Sequence, residues 1–365
     1  MRKIRLKKQT KSLDKRLLAL TLLLTGLGLI AVADASAPIA LSTFGDRFYL
    51  FKQQAVWAVV GIVLLFTFSK VKYTFWQRLA IPLFGAGILL LILVLIPALG
   101  VKVLGARRWF LLGPISFQPS EFIKLALAIY LAKVASKDMQ PASFFIPLLL
   151  VVVLIMMQPD LGTTIIVMTL AVSQIFVSGI SSLYFVGTIG FAAIGSLVLI
   201  ITSDYRRDRF MTFLTQTQDP LGKAYHISQV LIGLGAGGFW GVGLGASRQK
   251  YLFLPEAATD SIFAVLAEEV GFLGVSILIF IFTLFILRGL TIAKNAPDKF
   301  SRVLAVGVIT WIGGQAMLNL GSMVALTPLT GIPLPFFSYG GSSLTSILAA
   351  VGILLNISRH EEKAK

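Results

Sequence analysis

The sequence predicts an all-α polytopic membrane protein of about ten transmembrane helices, with a large extracellular loop between helices 7 and 8. The chain has 365 residues, of which 56% are hydrophobic and only 13% are charged, and its mean hydropathy is +0.88. Soluble domains carry about 25% charged residues, and a membrane span needs roughly 18 or more apolar residues in a row. Apolar runs of about that length recur along the chain, so we treat residues 1–365 as a single integral-membrane domain.

Ten apolar segments follow one another along the chain. They lie near residues 17–37, 51–69, 79–99, 121–136, 143–157, 161–178, 182–202, 260–287, 301–326 and 337–357. The fourth and fifth segments are short for a span, so we expect one of them to be tilted, interrupted or only partly embedded.

Lysine and arginine are concentrated in alternate connections, on the side of the N-terminal tail. Cytoplasmic loops carry an excess of these residues, so both termini, 1–16 and 358–365, are predicted to be cytoplasmic tails. The basic start and the Ala35-Ser36-Ala37 triplet resemble a secretory signal. The apolar run is long for a signal and many spans follow it, so we interpret it as an uncleaved anchor.

The net charge of +16 does not indicate nucleic-acid binding, because the basic residues lie between apolar runs and are not interleaved with aromatic residues. Phosphate-bearing membrane lipids are the expected partners instead. The absence of cysteine excludes disulfides and thiol nucleophiles. Two histidines, His226 and His360, are too few for a multi-histidine metal centre, and the sequence leaves the metal unknown.

The connection 203–259 is long and rich in aromatic residues, which predicts a folded extracellular cap and not a disordered loop. It contains a glycine run from Gly233 to Gly245 that formally matches the dinucleotide-binding pattern. We reject that interpretation, because no strand precedes the run and no βαβ unit surrounds it. Close approach of backbone to a ligand and a compact irregular loop both stay open.

Three acidic sites lie at or near the membrane edge. Glu121 and Lys124 are three residues apart, so they share a helix face and can pair, although a helix start or an ordinary buried salt bridge explains them equally. Asp160 follows a proline in a tight turn, for which a structural role is favoured. Asp260 is predicted at the outside mouth of span eight, where an N-cap is the alternative to a functional role.

Two more carboxylates follow Asp260 on the same predicted helix. Glu268 is eight residues further on, which is roughly 12 Å deeper at the helical rise, and Glu269 is next to it. Carboxylates inside a span need partners or water.

Arginines in two outside loops are candidates for phosphate binding, because guanidinium groups bind phosphate in a bidentate manner. They are Arg107 and Arg108 in one loop, and Arg207 and Arg209 in the other. Anchoring to lipid headgroups is the alternative.

The stretch Gly331–Ser343 contains two prolines and two adjacent glycines, so it cannot continue a regular helix. Irregular backbone at membrane depth must be buried in protein or line a wet cavity. This stretch therefore suits the floor of a site that presents the hydroxyls of Ser338 and Tyr339, and a purely structural re-entrant loop is the alternative.

Taken in order, these motifs resemble the SEDS family, the division and elongation proteins typified by FtsW and RodA. The resemblance covers nearly the whole chain. It rests on Arg107-Arg108-Trp109, Phe117 to Glu121 with Lys124, Gln158 to Thr163, Asp219 to Gly222 with Tyr225, His226 and Gln229, Leu254 to Asp260, Glu268-Glu269, and Ser338 to Ser343. The motifs favour the division branch over the elongation branch.

The resemblance implies a ten-span fold, a peptidoglycan glycosyltransferase that polymerises lipid II, and a class B penicillin-binding protein as transpeptidase partner. It also implies that Asp260 is the family's essential aspartate and that Glu121 and Lys124 are its functional fourth-span pair. The further residues expected to bind substrate are Arg107, Arg108, Asp160, Arg207, Arg209, Tyr225, His226, Gln229, Lys250, Glu256, Ser338 and Tyr339.

The chemistry of these residues suggests a mechanism. Asp260 would accept the proton of the attacking sugar hydroxyl, and Lys124 with the loop arginines would stabilise the departing pyrophosphate. No cofactor is certain, but a divalent cation, Mg²⁺ or Mn²⁺, would suit the pyrophosphate. The depth of Glu268 leaves no second carboxylate evidently near Asp260, which favours single displacement with inversion.

Three alternatives to the polymerase stay open. They are a flippase or transporter of the same lipid, a non-catalytic scaffold that activates a transpeptidase, and another lipid-linked polysaccharide polymerase or ligase.

Overall fold

The computed structural model describes residues 12–103, 105–113, 115–137, 140–180, 225–251 and 253–360, together with 186–187 and 190. In chain order the elements are α1 (Lys15–Ala35), α2 (Ala37–Phe44), α3 (Tyr49–Lys70), α4 (Tyr73–Leu93), β1 (Val101–Val103), β2 (Ala106–Leu112), β3 (Ile115–Phe117), α5 (Pro119–Ser136), α6 (Ala142–Met156), α7 (Leu161–Ser178), α8 (Tyr225–Gly237), α9 (Ile262–Lys294), α10 (Lys299–Met323) and α11 (Gly341–Ser358).

Within the described residues, seven helices are long and apolar enough to cross a membrane, namely α1, α3, α4, α7, α9, α10 and α11. The prediction of an all-α polytopic membrane protein is therefore confirmed. Helix α6 is apolar but has only 15 residues, as its short apolar segment predicted. The predicted segment 182–202 lies largely outside the described residues, so the number ten stays a prediction.

Most predicted segments agree with helices to within a few residues, but two do not. The third segment was predicted at 79–99, whereas α4 ends at Leu93 and the chain turns through 94–100. The eighth was predicted at 260–287, whereas α9 runs to Lys294 and is broken at Gly271, where φ is 66° and ψ is −172°. Hydropathy marks apolar composition but does not register where a helix turns or breaks, and this explains both differences.

The two ends of the helix bundle can be told apart by contacts. The backbone N–H of Asp14, just before α1, donates to the hydroxyl of Ser358 at the end of α11, and Arg288 on α9 pairs with Asp14. We call this the terminal end. The opposite end carries Asp260, and we call it the site end. Helix α11 is largely buried and packs mainly against α3, while α3 and α4 expose many apolar side chains, as expected for lipid-facing helices.

A small three-stranded antiparallel sheet, in the order β1-β2-β3, joins α4 to α5 at the site end. Val101 pairs with Trp109, and Phe110 pairs with Phe117. From the sequence we placed Arg107 and Arg108 in an outside loop and predicted no strands there. Two of the strands have only three residues each, which is too short for an alternating pattern to stand out.

The glycine run supplies hydrogen-bond partners for the backbone groups at the break in α9. The carbonyls of Glu268 and Glu269, which end the first half of the helix, accept hydrogen bonds from Val242 and Gly243. The N–H groups of Phe272 and Leu273, which begin the second half, donate to the carbonyls of Gly238 and Phe239. Broken helix ends need such partners, especially near a membrane.

Glycine is needed for this contact because the two backbones touch. A Cβ on Gly241 would lie 2.1 Å from the carbonyl oxygen of Glu269, and a Cβ on Gly271 would lie 2.2 Å from the nitrogen of Gly241. The glycine run therefore makes a close structural contact with α9, and an approach of its backbone to a ligand stays a prediction.

Candidate functional site

Asp260 lies half-buried at the site end, just before the first turn of α9. The Nδ2 group of Asn319 on α10 donates to the backbone carbonyl of Asp260 over 2.8 Å. Its carboxylate faces Gly331, where an added Cβ would lie 3.3 Å from Oδ2. Gly331 has φ +71°, which glycine adopts without strain, so the chain passes directly beside this carboxylate.

The stretch that follows Gly331 forms the floor beside Asp260. The hydroxyl of Ser338 donates to the carbonyl of Thr259, and the N–H of Tyr339 donates to the carbonyl of Ala258 over 2.8 Å. The phenol of Tyr339 donates to Gln53 on α3 over 2.6 Å. This irregular stretch is thus packed against protein, as the rule on membrane backbone required, and both predicted hydroxyls make protein contacts.

Glu121 and Lys124 form the predicted pair on α5. The ammonium of Lys124 lies 2.8 Å from Glu121 Oε1, and the two side chains are only 2% and 3% exposed. The ammonium also lies 5.0 Å from the ring centroid of Trp311. Among the described residues, Oε2 of Glu121 has no hydrogen-bond partner.

A polar face of α10 connects this pair to the floor, and we did not predict it. Lys124 donates to Oε1 of Gln315 over 2.9 Å, while Nε2 of Gln315 donates to the carbonyl of Pro333 over 2.9 Å. One turn further along, Asn319 donates to the carbonyl of Ile332 over 2.7 Å. Gln315 and Asn319 are four residues apart in an apolar span, and that spacing was the available signal.

Asp160 lies in the predicted turn and, in addition, caps α7. One carboxylate oxygen accepts the N–H of Thr163 over 3.0 Å, and the other accepts its hydroxyl over 2.9 Å. The same turn packs against the floor, because an added Cβ on Gly162 would lie 2.6 Å from Ile332. The turn of Asp160 therefore contacts the same floor that lies beside Asp260, while the oxygens of Asp160 are engaged in the cap.

The two arginines of the sheet differ in their surroundings. The guanidinium of Arg108 donates to the carbonyls of Gln158 and Pro159, which fastens β2 to the turn before α7. Arg107 is paired with Lys102 across the β1–β2 ladder, and adjacent residues of a strand point to opposite faces. Arg207 and Arg209 lie outside the described residues.

Helix α8, the described helical part of the predicted loop cap, places further site candidates beside Asp260. Nε2 of His226 lies 2.7 Å from the hydroxyl of Ser261, the residue that follows Asp260. The phenol of Tyr225 donates to the carbonyl of Phe253 over 2.8 Å. Gln229 is half-buried on the same helix.

Glu256 is exposed, and its carboxylate accepts the hydroxyl of Thr259 over 2.7 Å. Its φ of 52° is in the left-handed region, which is strained for glutamate and marks a tight turn just before Asp260.

Lys250 does not present a free ammonium to a substrate. Its side chain is 3% exposed and donates to Asp34 over 2.7 Å and to Glu269 over 2.8 Å. Burial lowers the pKa of Lys250, but the hydrogen bonds and charges of Asp34 and Glu269 outweigh burial and raise the pKa. In the described structure Lys250 thus belongs to a buried ion cluster, and its contact with substrate stays a prediction.

The expected depth of Glu268 and Glu269 was wrong. Lys250 links Glu269 to Asp34, which lies in the last turns of α1 at the site end, and α9 breaks directly after the pair. The two carboxylates are thus at the end of the bundle and not inside a continuous span. Depth no longer separates Glu268 from Asp260, although eight residues of chain, roughly 12 Å at the helical rise, still do.

No three histidine, aspartate or glutamate side chains converge within the part of the chain that the structure describes. Mg²⁺ commonly uses only one or two protein carboxylates together with substrate phosphates. Asp260 is a half-buried carboxylate at the site end, and a metal ion shared there with substrate phosphate stays a prediction.

Residues 15–363 match the FtsW, RodA and SpoVE family, described as cell cycle protein. The chain belongs to this family. Stage V sporulation protein E of Bacillus subtilis is 44% identical to it over 357 residues, which cover 95% of this chain and 97% of that protein. The probable peptidoglycan glycosyltransferase FtsW of Trichlorobacter lovleyi is 40% identical, with coverages of 94% and 93%.

Solved structures of the FtsW/RodA/SpoVE family share the fold. A chain from a peptidoglycan synthase complex, studied for the coordination of polymerization and crosslinking, superposes with a TM-score of 0.79 at 32% identity, covering 97% of this chain and 99% of that one. The rod shape determining protein RodA of Thermus thermophilus gives 0.71 at 30% identity, with the same coverages. The FtsW names among the relatives agree with the preference for the division branch.

Proposed function

We propose that this protein is a peptidoglycan glycosyltransferase that polymerises lipid II into glycan strands at the outer face of the bacterial cytoplasmic membrane, for septal or lateral wall synthesis. The observation that carries the proposal is the setting of Asp260. Its carboxylate is half-buried beside Gly331, and its backbone is held by Asn319. The names of relatives that are 36–40% identical support the same activity.

The reaction joins two lipid-linked chains. The acceptor hydroxyl oxygen forms a bond to the anomeric carbon of the donor, and the bond from that carbon to the pyrophosphate breaks with its electron pair leaving on phosphate. Asp260 takes the hydroxyl proton as the new bond forms, a role that is typically worth roughly 10²–10⁴-fold in rate. A half-buried carboxylate at the end of the bundle suits this task, because lipid-linked sugars lie at the membrane surface.

Several basic residues stabilise the negative charge of the departing pyrophosphate. Arg107, in strand β2 at the site end, is proposed to bind the pyrophosphate, and Arg207 and Arg209 are predicted to join it. Lys124 is 2% exposed and acts from beneath the floor, where Gln315 links it to the carbonyl of Pro333. A divalent cation, Mg²⁺ or Mn²⁺, would neutralise pyrophosphate charge when bound.

The partner and the orientation are also proposals. A related chain of known structure comes from a peptidoglycan synthase complex, which supports a class B penicillin-binding protein as transpeptidase partner. The distribution of lysine and arginine supports cytoplasmic termini, so that the site end faces outward.

The test is strand synthesis by the purified chain, alone and with a class B partner, from labelled lipid II with Mg²⁺ or Mn²⁺. We expect a ladder of glycan strands on a gel. A folded, partner-bound chain that makes no strands would overturn the proposal. Movement of fluorescent lipid II across reconstituted vesicles would then favour the flippase, and stimulation of the partner's transpeptidation would favour the scaffold.

A further inference from the structure

Two buried carboxylates stand outside the mechanism above. Glu268 and Glu269 are each 2% exposed and end the first half of α9, residues 262–270, whose other end follows Asp260. Buried carboxylates are costly unless every charge is paired or hydrogen-bonded, so their partners indicate what they do.

Both carboxylates bind one short segment, residues 247–250. Glu268 accepts the N–H of Arg248 over 3.0 Å and the N–H of Gln249 over 3.2 Å, as well as the hydroxyl of Ser247. Glu269 accepts the N–H of Ser247 over 3.2 Å and the ammonium of Lys250 over 2.8 Å. Successive backbone N–H groups that converge in this way form a concave site for anions. Here the anions are the carboxylates of α9.

The segment is fastened at its other side as well. Lys250 also donates to both oxygens of Asp34 near the end of α1, over 2.7 and 2.9 Å. The first half of α9 is thereby tied to α1 through residues 247–250. Because α9 breaks at Gly271, its second half does not fix the direction of the first half, and these contacts supply that constraint together with the glycine run.

We propose that Glu268 and Glu269 are positioning residues for Asp260. They hold the first half of α9 against residues 247–250, so that the carboxylate of Asp260 stays beside Gly331 while Asn319 holds its backbone. The proposal rests on the function proposed above, in which Asp260 is the base. Misplacement of a reacting group by about 1 Å can cost roughly 10²-fold in rate.

The first arm of the test is steady-state kinetics of strand synthesis by Glu268→Gln in the full chain with its partner. The amide keeps one acceptor oxygen but turns an NH₂ group toward a donor, so the contact to residues 247–249 is broken at one point. We expect kcat to fall by about 10²-fold while KM changes by less than about threefold, because the group being displaced acts in the reaction step. Asp46→Asn, at an exposed aspartate that pairs with Lys52, is the matched control and should keep both constants.

The second arm uses the absence of cysteine in the chain. Val265→Cys places a thiol on the first half of α9, where Val265 is 1% exposed, and Val308→Cys places one on α10, where Val308 is 0% exposed. In the Glu268→Gln background, a maleimide should label position 265 faster than in the parent, while position 308 stays protected. General unfolding would expose both positions.

Only one combination supports the proposal: a fall in kcat with KM retained, faster labelling at 265 and protection at 308. Any other combination overturns it. If Glu268→Gln does not fold, Ser247→Ala removes a single donor and should give the same pattern at a smaller amplitude. A wild-type chain that makes no strands overturns both proposals, whereas an active wild type, inactivated by Asp260→Asn but not by Glu268→Gln, overturns this one alone.

Discussion

At the residue scale, the role of the buried ion pair between Glu121 and Lys124 can be tested by simple substitutions. Lys124→Met should lower the free energy of unfolding by about 3–5 kcal/mol, because it leaves the charge of Glu121 buried without its cation. The double variant Glu121→Gln/Lys124→Met removes both charges and should recover most of that loss. Thermal unfolding in detergent measures both effects.

The same variants separate a structural from a functional role for the pair. If the pair only stabilises the fold, strand synthesis should return with stability in the double variant. We expect activity to stay low, because Gln315 then loses the ammonium that orients it beneath the floor. Equal stability of the single variant and the wild type would contradict a charged pair.

Residue-level interactions were predictable only where they are local in sequence. The pair on α5 and the cap at Asp160 follow from spacings of three residues. The setting of Asp260 did not follow, because Asn319 and Gly331 are distant in sequence and meet it only through packing of α10 against the floor. The ion cluster of Lys250 was not predicted for the same reason, since a basic residue in a loop gives no sign of a carboxylate on another helix.

At the element scale, the glycine run and the broken helix act as one unit, and α8 offers a matched pair of substitutions. A Cβ on Gly237 would lie 2.1 Å from the carbonyl oxygen of Ala267 on α9, whereas one on Gly235, two residues earlier in the same helix, has nothing within 4 Å. Gly237→Ala should therefore lower the melting temperature and strand synthesis. Gly235→Ala should leave both unchanged or raise stability by up to about 1 kcal/mol, because alanine favours helices.

Melting curves and strand yields of the two alanine variants, prepared side by side, decide this point. Equal behaviour of the two would show that α8 does not pack on α9 as closely as described.

Elements were predicted well where apolar composition determines them and poorly where backbone contacts do. Helices such as α3 and α7 agree with their segments because a bilayer selects for length and hydropathy. The break at Gly271 was not predicted, because its hydrogen bonds are completed by Gly238 to Gly243, which lie some 30 residues earlier in the chain. The sheet of β1 to β3 was missed because its strands are short.

At the scale of the whole molecule, the proposed function requires the site end to face outward and the terminal end to face the cytoplasm. Single cysteines in this cysteine-free chain test that orientation in intact cells. Leu111→Cys in the sheet and Lys72→Cys in the turn between α3 and α4 both lie at exposed positions. A membrane-impermeant maleimide should label position 111 alone, and both positions after lysis.

Labelling of position 72 in intact cells, with position 111 protected until lysis, would reverse the orientation. It would also remove Asp260 from the face at which glycan strands are assembled.

The carboxylate of Asp260 takes part in glycan polymerisation in the proposed mechanism, and strand synthesis by Asp260→Asn measures that role. The assay compares this variant with wild type and with Asp46→Asn, using labelled lipid II, a divalent cation and protein of matched melting temperature. We expect a full ladder from wild type and Asp46→Asn, and a loss of at least about 10²-fold from Asp260→Asn. An undiminished ladder from a folded Asp260→Asn variant would contradict it.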